Sequence, residues 1–188
     1  MKYVNRWGLM RNSRSESLSD HTLDVVFISH ALVVIANTYF GAALDEGRVC
    51  TLAAFHDAPE IITGDMPTPV KYINPEMKRV YGKVEQGAKE TMINQLPEEM
   101  QPTYEAALSG GGTDKMLMRY VKAADKISAL IKCIEEEQSG NMDFEDAKKS
   151  TLEIIKKNYI DMPEVEFFLN NFLPGYYYTL DKQTKNEN

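Results

Sequence analysis

An all-α helical bundle is the fold class this sequence predicts, and three observations carry the prediction. Apolar residues recur at helical spacing along most of the chain, capping residues stand in front of those runs, and strand signals are few. Ser19 or Asp20 is placed to cap a first helix running to about Asn37. Its middle, Val25 to Ile28 and Ala31 to Ala36, is apolar on nearly every face, which suits the centre of a bundle. The β-branched run alone would also fit a strand, but its length decides for helix. Asp45 caps a second helix, in which Val49, Leu52, Ala53 and His56 follow the i, i+3, i+4, i+7 pattern and put His56 on the inward stripe. Pro59 lacks the N–H that would bond the Phe55 carbonyl, so a kink or an end is expected there.

Residues 63–75 hold Gly64, Pro67, Pro69 and Pro75 and read as a structured loop rather than helix. Asn74-Pro75 opens a third helix with an inward stripe of Met77, Val80, Tyr81, Val84, Ala88 and Met92. Pro97 begins a shorter helix that fades before Ser109-Gly110-Gly111-Gly112, a run that serves either as a lid hinge or as a plain connector. A long helix follows from about Asp114 to Gln138, with Leu117, Val121, Ala124, Ser128 and Ile131 inward and Asp125 at the edge of that stripe. Two further helices, near Phe144 to Asn158 and Pro163 to Leu173, complete the set, and Pro174-Gly175 stops the last. No internal repeat or linker is visible. The reading is one domain over residues 1–188, with a polar tail after about 180 that is expected to fray.

Charge and cysteine usage narrow the function classes. A net charge of -7 and a pI near 5.1 argue against a broad surface for a nucleic-acid polymer. The same field would repel a phosphate substrate, so a metal and a few local cations would have to supply the attraction. Cys50 and Cys133 stand apart in apolar helical patterns and read as two buried free thiols, which favours a reducing cytoplasm. The first residues, Met1 to Trp7, have no signal-peptide core, and the apolar stretch Val25–Ala36 is too short to span a bilayer; no membrane partner is expected.

The chemistry-bearing residues are few, with only three histidines in the chain. A lone histidine on an apolar stripe is usually a hydrogen-bonded core residue, and His30, with nothing acidic beside it, is read that way. His56 differs because Asp57 follows it, His21 opens another apolar helix and Asp125 interrupts a third. A buried, uncompensated Asp is costly, so Asp125 needs a partner or a metal. His21, His56, Asp57 and Asp125 together suit one divalent cation bound by two imidazoles and two carboxylates. Glu60, one turn beyond His56, could hold or deprotonate an attacking water, or be a solvated helix end. Asp65-Met66-Pro67-Thr68-Pro69 is a rigid loop suited to presenting groups to a ligand. Arg6 suits bidentate phosphate recognition, and Trp7, the single tryptophan, offers a flat wall beside it or a packing anchor. Ser29 precedes His30, which is read as structural, and the sequence offers no dedicated nucleophilic Ser or Cys paired with a His.

The H…HD…D set resembles that of the HD-domain phosphohydrolases. Asn5-Arg6-Trp7, Ser19-Asp20-His21, His56-Asp57-Ala58-Pro59-Glu60, the segment from Thr63 to Lys71 and Lys122-Ala123-Ala124-Asp125 look like the corresponding segments of bacterial 5'-deoxynucleotidases, over about residues 3–180. Pro59 is the departure, standing where other members have a smaller residue. The resemblance implies an HD-domain helical bundle with His21, His56, Asp57 and Asp125 as metal ligands. It implies Arg6 orienting the phosphate, Trp7 beside the sugar excluding a 2'-hydroxyl, and Glu60 handling the water. Asp65, Met66, Pro67 and Thr68 would contact the nucleotide together with His21, Asp57 and Asp125. The implied activity is removal of the 5'-phosphate from deoxyribonucleoside 5'-monophosphates by a cytoplasmic homodimer. Cobalt is the expected ion, with Mn2+, Zn2+, Fe2+, Ni2+ and Mg2+ as alternatives. The rival readings are another HD hydrolase, acting on a nucleoside triphosphate or an alarmone, and a non-catalytic protein that keeps a metal and a nucleotide site for structure.

Overall fold

In the computed structural model, which describes residues 1–179 and 181–182, the chain after an irregular N-terminal arm is built from helices. They are α1 (Leu18–Tyr39), α2 (Glu46–Phe55), α3 (Glu60–Thr63), α4 (Thr68–Lys71), α5 (Pro75–Asn94), α6 (Gln101–Ser109), α7 (Lys115–Gln138), α8 (Glu145–Asn158) and α9 (Pro163–Asn171). Among the described residues no strand forms; Asn5 and Ser17 make one isolated antiparallel bridge. The polar tail lies outside the described residues apart from Asp181 and Lys182.

α1 starts two or three residues earlier than the sequence suggests. Ser17 is its N-cap and Asp20 answers from the third position, a reciprocal capping box that satisfies two otherwise orphaned N–H groups. α1 packs on α2, α7 and α9, and Val25, Leu32 and Val33 interlock with Val49, Leu52 and Ala53 of α2 and with Val121, Ala124 and Ile127 of α7. Each fully buried Val or Leu of this kind contributes about 1.5–3 kcal/mol. The centre of the bundle is therefore α1, but not on every face: Leu23 and Phe27 are 54% and 64% exposed, and His30 is exposed beside them. By length and mean hydropathy α1 would pass for a membrane span, contrary to the reading of Val25–Ala36 alone; half of that stretch is buried in the core and the helix carries His21.

Other boundaries shift for local reasons. The loop over 63–75 contains the short helix α4, with Pro69 in its first turn. Residues 97–100 form a turn, so α6 begins at Gln101. In α5 Tyr81 and Ala88 are buried as expected, but Val80 and Val84 are 42% and 49% exposed, because α5 packs chiefly on the short α3, α4 and α6. The glycine run is a tied connector: Gly110 caps α6 with left-handed backbone, and Arg48 bonds both Asp114 and the Ala106 carbonyl. Cys133 is buried and Cys50 only half-buried; both are free thiols.

The irregular arm is fastened to α7 by a buried ion pair. Lys132 bonds Glu136 one turn on and donates 2.6 Å to the Arg14 carbonyl. Glu136 accepts from the Ser13 backbone N–H at 2.8 Å and from Asn141 at 2.7 Å, and also from the Ser13 hydroxyl. Removing one member leaves the other charge buried and unpaired, so Glu136→Ala should cost about 3–5 kcal/mol in urea unfolding. A loss below about 1 kcal/mol, the scale of an exposed pair, would show that the network does not hold the arm.

Candidate metal centre

The turn between α2 and α3 supplies half of the site. α2 ends at Phe55 and His56 is its C-cap, while residues 56–59 form a turn before α3. The turn is tight, with the Ala58 N–H on the Phe55 carbonyl at 3.2 Å and the Glu60 N–H on the Asp57 carbonyl at 3.0 Å. It holds both side chains at one site: His56 Nε2 lies 3.0 Å from Asp57 Oδ2. His21, fully buried one turn inside α1, places Nε2 3.5 Å from Asp57 Oδ2 and 3.2 Å from Asp125 Oδ1. One ligand atom from each of the four residues lies within 4.8 Å of the other three.

The donor chemistry fits a divalent cation. His56 Nδ1 lies 2.7 Å from the Ala53 carbonyl, which can only accept, so Nδ1 carries a proton and Nε2 is the nitrogen turned towards the carboxylates, the one that would ligate a metal. His21 Nδ1 meets the Ser128 hydroxyl at 3.0 Å, an outer contact of the kind that orients imidazole ligands. Both Nε2 atoms are buried and, despite the nearby carboxylates, neither makes a hydrogen bond. Burial works to raise the Asp57 pKa, but the facing His21 and His56 nitrogens outweigh it and the carboxyl stays ionised. Burial acts the same way on Asp125, where His21 and the Lys126 ammonium, 2.9 Å from Oδ2, hold the carboxyl well below its ordinary range. Imidazoles that ligate a metal do so as neutral rings, so with two carboxylates the cage would present two negative charges, which a divalent cation would neutralise.

Around the cage the predicted residues divide. Arg6 is nearly buried, which works to lower its pKa, but the charge of Glu16, 3.0 Å away, and those of Asp125, Asp65 and Asp57 outweigh burial and raise it. Trp7 follows it with left-handed backbone, φ 60°, the sole non-glycine residue so placed among the described residues. Asp65 lies within reach of both the Arg6 charge and the Trp7 backbone N–H. Met66 and Pro67 are half-buried beyond it, Thr68 is exposed at the start of α4, and none of these three side chains hydrogen-bonds to the four ligands. Glu60 is buried rather than solvated, and its Oε2 has no partner. His30 lies outside the site.

Three neighbours carry no obvious mark in the sequence. Ser128 reads only as an inward position on α7, although a hydroxyl one turn past Asp125 on an apolar stripe is a usable signal. Lys126 follows Asp125, a pairing that helix periodicity does not anticipate. Glu16 sits in the irregular arm and accepts from Arg6 Nη1 at 3.0 Å and from Trp7 Nε1 at 2.7 Å. It is brought there by the bridge between Asn5 and Ser17.

Comparison with known proteins agrees with this geometry. A family model described as 5'-deoxynucleotidase YfbR-like matches residues 1–176. A 5'-deoxynucleotidase of Vibrio vulnificus is 42% identical over 182 residues, 97% of this chain and 93% of the relative. The chain belongs to the YfbR-like 5'-deoxynucleotidase family. A 5'-deoxynucleotidase of Shewanella oneidensis is 40% identical over 98% of this chain and 94% of its own length. Among solved structures, an HD-domain phosphohydrolase of Listeria innocua aligns with a TM-score of 0.81 at 22% identity, covering 98% of this chain and 88% of that one. The cyanophage S-2L HD phosphohydrolase, bound to dA and one catalytic Zn2+ ion, aligns with a TM-score of 0.66 at 19% identity, covering 95% and 93%. The fold is thus that of the HD-domain phosphohydrolases, all-α as the sequence predicts.

The buried Glu60 gives a pH signature. Burial, reinforced by the Asp57 and Asp65 charges, pushes its carboxyl from 4.5 up to about 8. The folded state then keeps a proton that the unfolded chain has lost, so this group lowers stability as pH rises from 4.5 to about 8. In metal-free protein, Glu60→Gln should flatten the decline of unfolding free energy across that window. Parallel curves for wild type and variant would show that Glu60 does not titrate there.

Proposed function

We propose that the protein is a metal-dependent 5'-deoxynucleotidase that hydrolyses deoxyribonucleoside 5'-monophosphates to deoxyribonucleoside and phosphate. The observation that carries the proposal is the placement of Arg6 and the unpartnered Glu60 around the cage of His21, His56, Asp57 and Asp125. A divalent cation held by those four residues supplies Lewis-acid chemistry, lowering the pKa of water and offsetting phosphate charge. Cobalt is our reading; two imidazoles and two carboxylates also accept Mn2+, Zn2+, Fe2+, Ni2+ or Mg2+.

The chain's own groups do the rest. Arg6 retains guanidinium N–H donors beyond the one on Glu16, and these orient the 5'-phosphate. Glu60, ionised once a cation in the cage offsets the Asp57 and Asp65 charges that help hold its proton, would take a proton from the water that attacks phosphorus in line with the 5'-oxygen, and would pass it to that oxygen as the P–O5' bond breaks. Trp7 stands beside the sugar, and the loop Asp65-Met66-Pro67-Thr68 closes on the nucleotide. Direct attack by water is supported by the thiols: burial pushes Cys133 up to about 12 and also raises Cys50, so neither is a ready nucleophile.

The rivals have less support. A triphosphate or alarmone would call for several free cations, whereas Arg6 and Lys126 are each paired to a carboxylate at 3.0 and 2.9 Å. A structural metal site gives no reason for a buried, unpartnered Glu60. The free thiols suit a cytoplasmic setting. The exposed Ile61, Ile62, Ile73, Val80 and Val84 suit a homodimer, which light scattering would test.

Three variants test the assignment with dAMP and AMP. Glu60→Ala should lower kcat by about 10²–10⁴-fold with metal content unchanged; loss of the metal instead would make Glu60 a support of the cage. Trp7→Ala should raise AMP turnover relative to dAMP, by up to the roughly 5–150-fold that burying an unpartnered hydroxyl provides. Arg6→Ala should weaken both substrates about equally. Equal kcat/KM for dAMP and AMP in the wild type would replace this reading with a general nucleotidase.

A further inference from the structure

The N-terminal arm presents a puzzle. Arg6 and Trp7 are the residues assigned to phosphate and sugar, yet they lie outside any helix, in a segment with no regular hydrogen-bond ladder. Trp7 is also in a strained conformation. A bulky residue at φ 60° costs on the order of 1–3 kcal/mol and persists only where its surroundings fix it.

A single carboxylate oxygen does much of that fixing. Oε2 of Glu16 accepts from Arg6 Nη1 at 3.0 Å and from Trp7 Nε1 at 2.7 Å. Glu16 is 9% exposed, so both bonds form away from bulk water, where a charged acceptor is strong. Its backbone carbonyl also accepts from the Arg6 N–H at 2.9 Å, which sets the register between the two halves of the arm. The next residue, Ser17, is the N-cap of α1, and α1 carries His21. Glu16 therefore ties both substrate-facing side chains to the helix that supplies a metal ligand. Other contacts on Trp7 hold its backbone or pack its ring: Met10 N–H and Asn12 Nδ2 both donate to the Trp7 carbonyl, and Phe144 lies 5.2 Å away. Only the bond to Glu16 fixes the indole by its polar edge, and that same oxygen fixes the guanidinium.

We propose that Glu16 is a specificity-positioning residue: by holding Arg6 and Trp7 on one oxygen, it fixes the spacing between phosphate and sugar wall and thereby sets the preference for deoxyribose. It does not touch the reacting atoms. The inference rests on the substrate reading given above, and its test separates the two.

Wild type, Glu16→Ala, Glu16→Asp and Glu16→Gln are compared as cobalt-loaded proteins. The first readout is the ratio of kcat/KM for dAMP over AMP. Glu16→Ala should lower that ratio at least about 5-fold, towards the value of Trp7→Ala, and raise KM for dAMP. Glu16→Asp keeps the charge but falls one methylene short of both donors, so it should lower the ratio as well. Glu16→Gln keeps an oxygen acceptor in place and should retain the ratio within about 2-fold. A purely structural role would instead reduce both substrates in proportion and leave the ratio unmoved. The second readout is acrylamide quenching of tryptophan emission, which reports Trp7 alone because it is the only tryptophan. Quenching should rise in Glu16→Ala and Glu16→Asp and stay near wild type in Glu16→Gln. If Glu16→Ala does not fold, Glu16→Asp against Glu16→Gln decides. An unchanged ratio in a folded Glu16→Ala or Glu16→Asp overturns the proposal, and unchanged quenching overturns the positioning itself. Equal turnover of dAMP and AMP by wild type defeats the substrate reading and the specificity role, while quenching still decides whether Glu16 holds Trp7.

Discussion

Two ionised carboxylates and two inward-turned imidazole nitrogens crowd one point in a largely buried place, and the rest of the structure depends on that arrangement. His21 and His56 turn Nε2 inward and leave it without a hydrogen bond, while their Nδ1 atoms are spent on Ser128 and the Ala53 carbonyl. With both imidazoles neutral, such a cage would be electrostatically unfavourable without a cation. The helices that supply it are the ones whose apolar faces interlock most closely, α1, α2 and α7. Core packing therefore fixes the spacing of the ligands, and the turn after α2 carries two of them. A less rigid frame would let the like-charged groups move apart.

Electrostatic neutrality also accounts for the second layer. With its cation the cage carries no net charge, so it would attract a phosphate dianion only weakly by itself. Arg6 and Lys126 are the cations at its rim, each held by a carboxylate. Pairing limits their reach and fixes their position, which suits a small monoester better than a long polyphosphate. An acidic chain of net charge -7 thus handles an anionic substrate through local placement rather than through its overall field.

Much of this was legible in the sequence, for definable reasons. Helical periodicity located α1, α2 and α7, because their buried stripes run on from turn to turn, and α5 by an apolar stripe of which only Tyr81 and Ala88 are buried. The cage was legible because its four residue types stand where a core helix has no other use for them. Cap and edge details were less so: Ser17 rather than Ser19 or Asp20 starts α1, since the capping box is settled by hydrogen bonds three residues apart. Val80 and Val84 looked inward because periodicity reports a stripe and not whether a neighbour covers it. Glu16 and Lys126 were invisible for a different reason. Their partners are set by an irregular arm and by side-chain geometry at the site rim, neither of which leaves a period in the sequence.

The measurement that bears most directly on the central claim is the number of cations bound per chain, determined by elemental analysis after dialysis against limiting cobalt. One cation per wild-type chain is the expected result, falling to none when either His21 or Asp125 is replaced by alanine while the circular dichroism spectrum stays helical. Binding that is absent in the wild type, or that persists at one per chain in the folded variants, would contradict the four-residue cage on which the account stands.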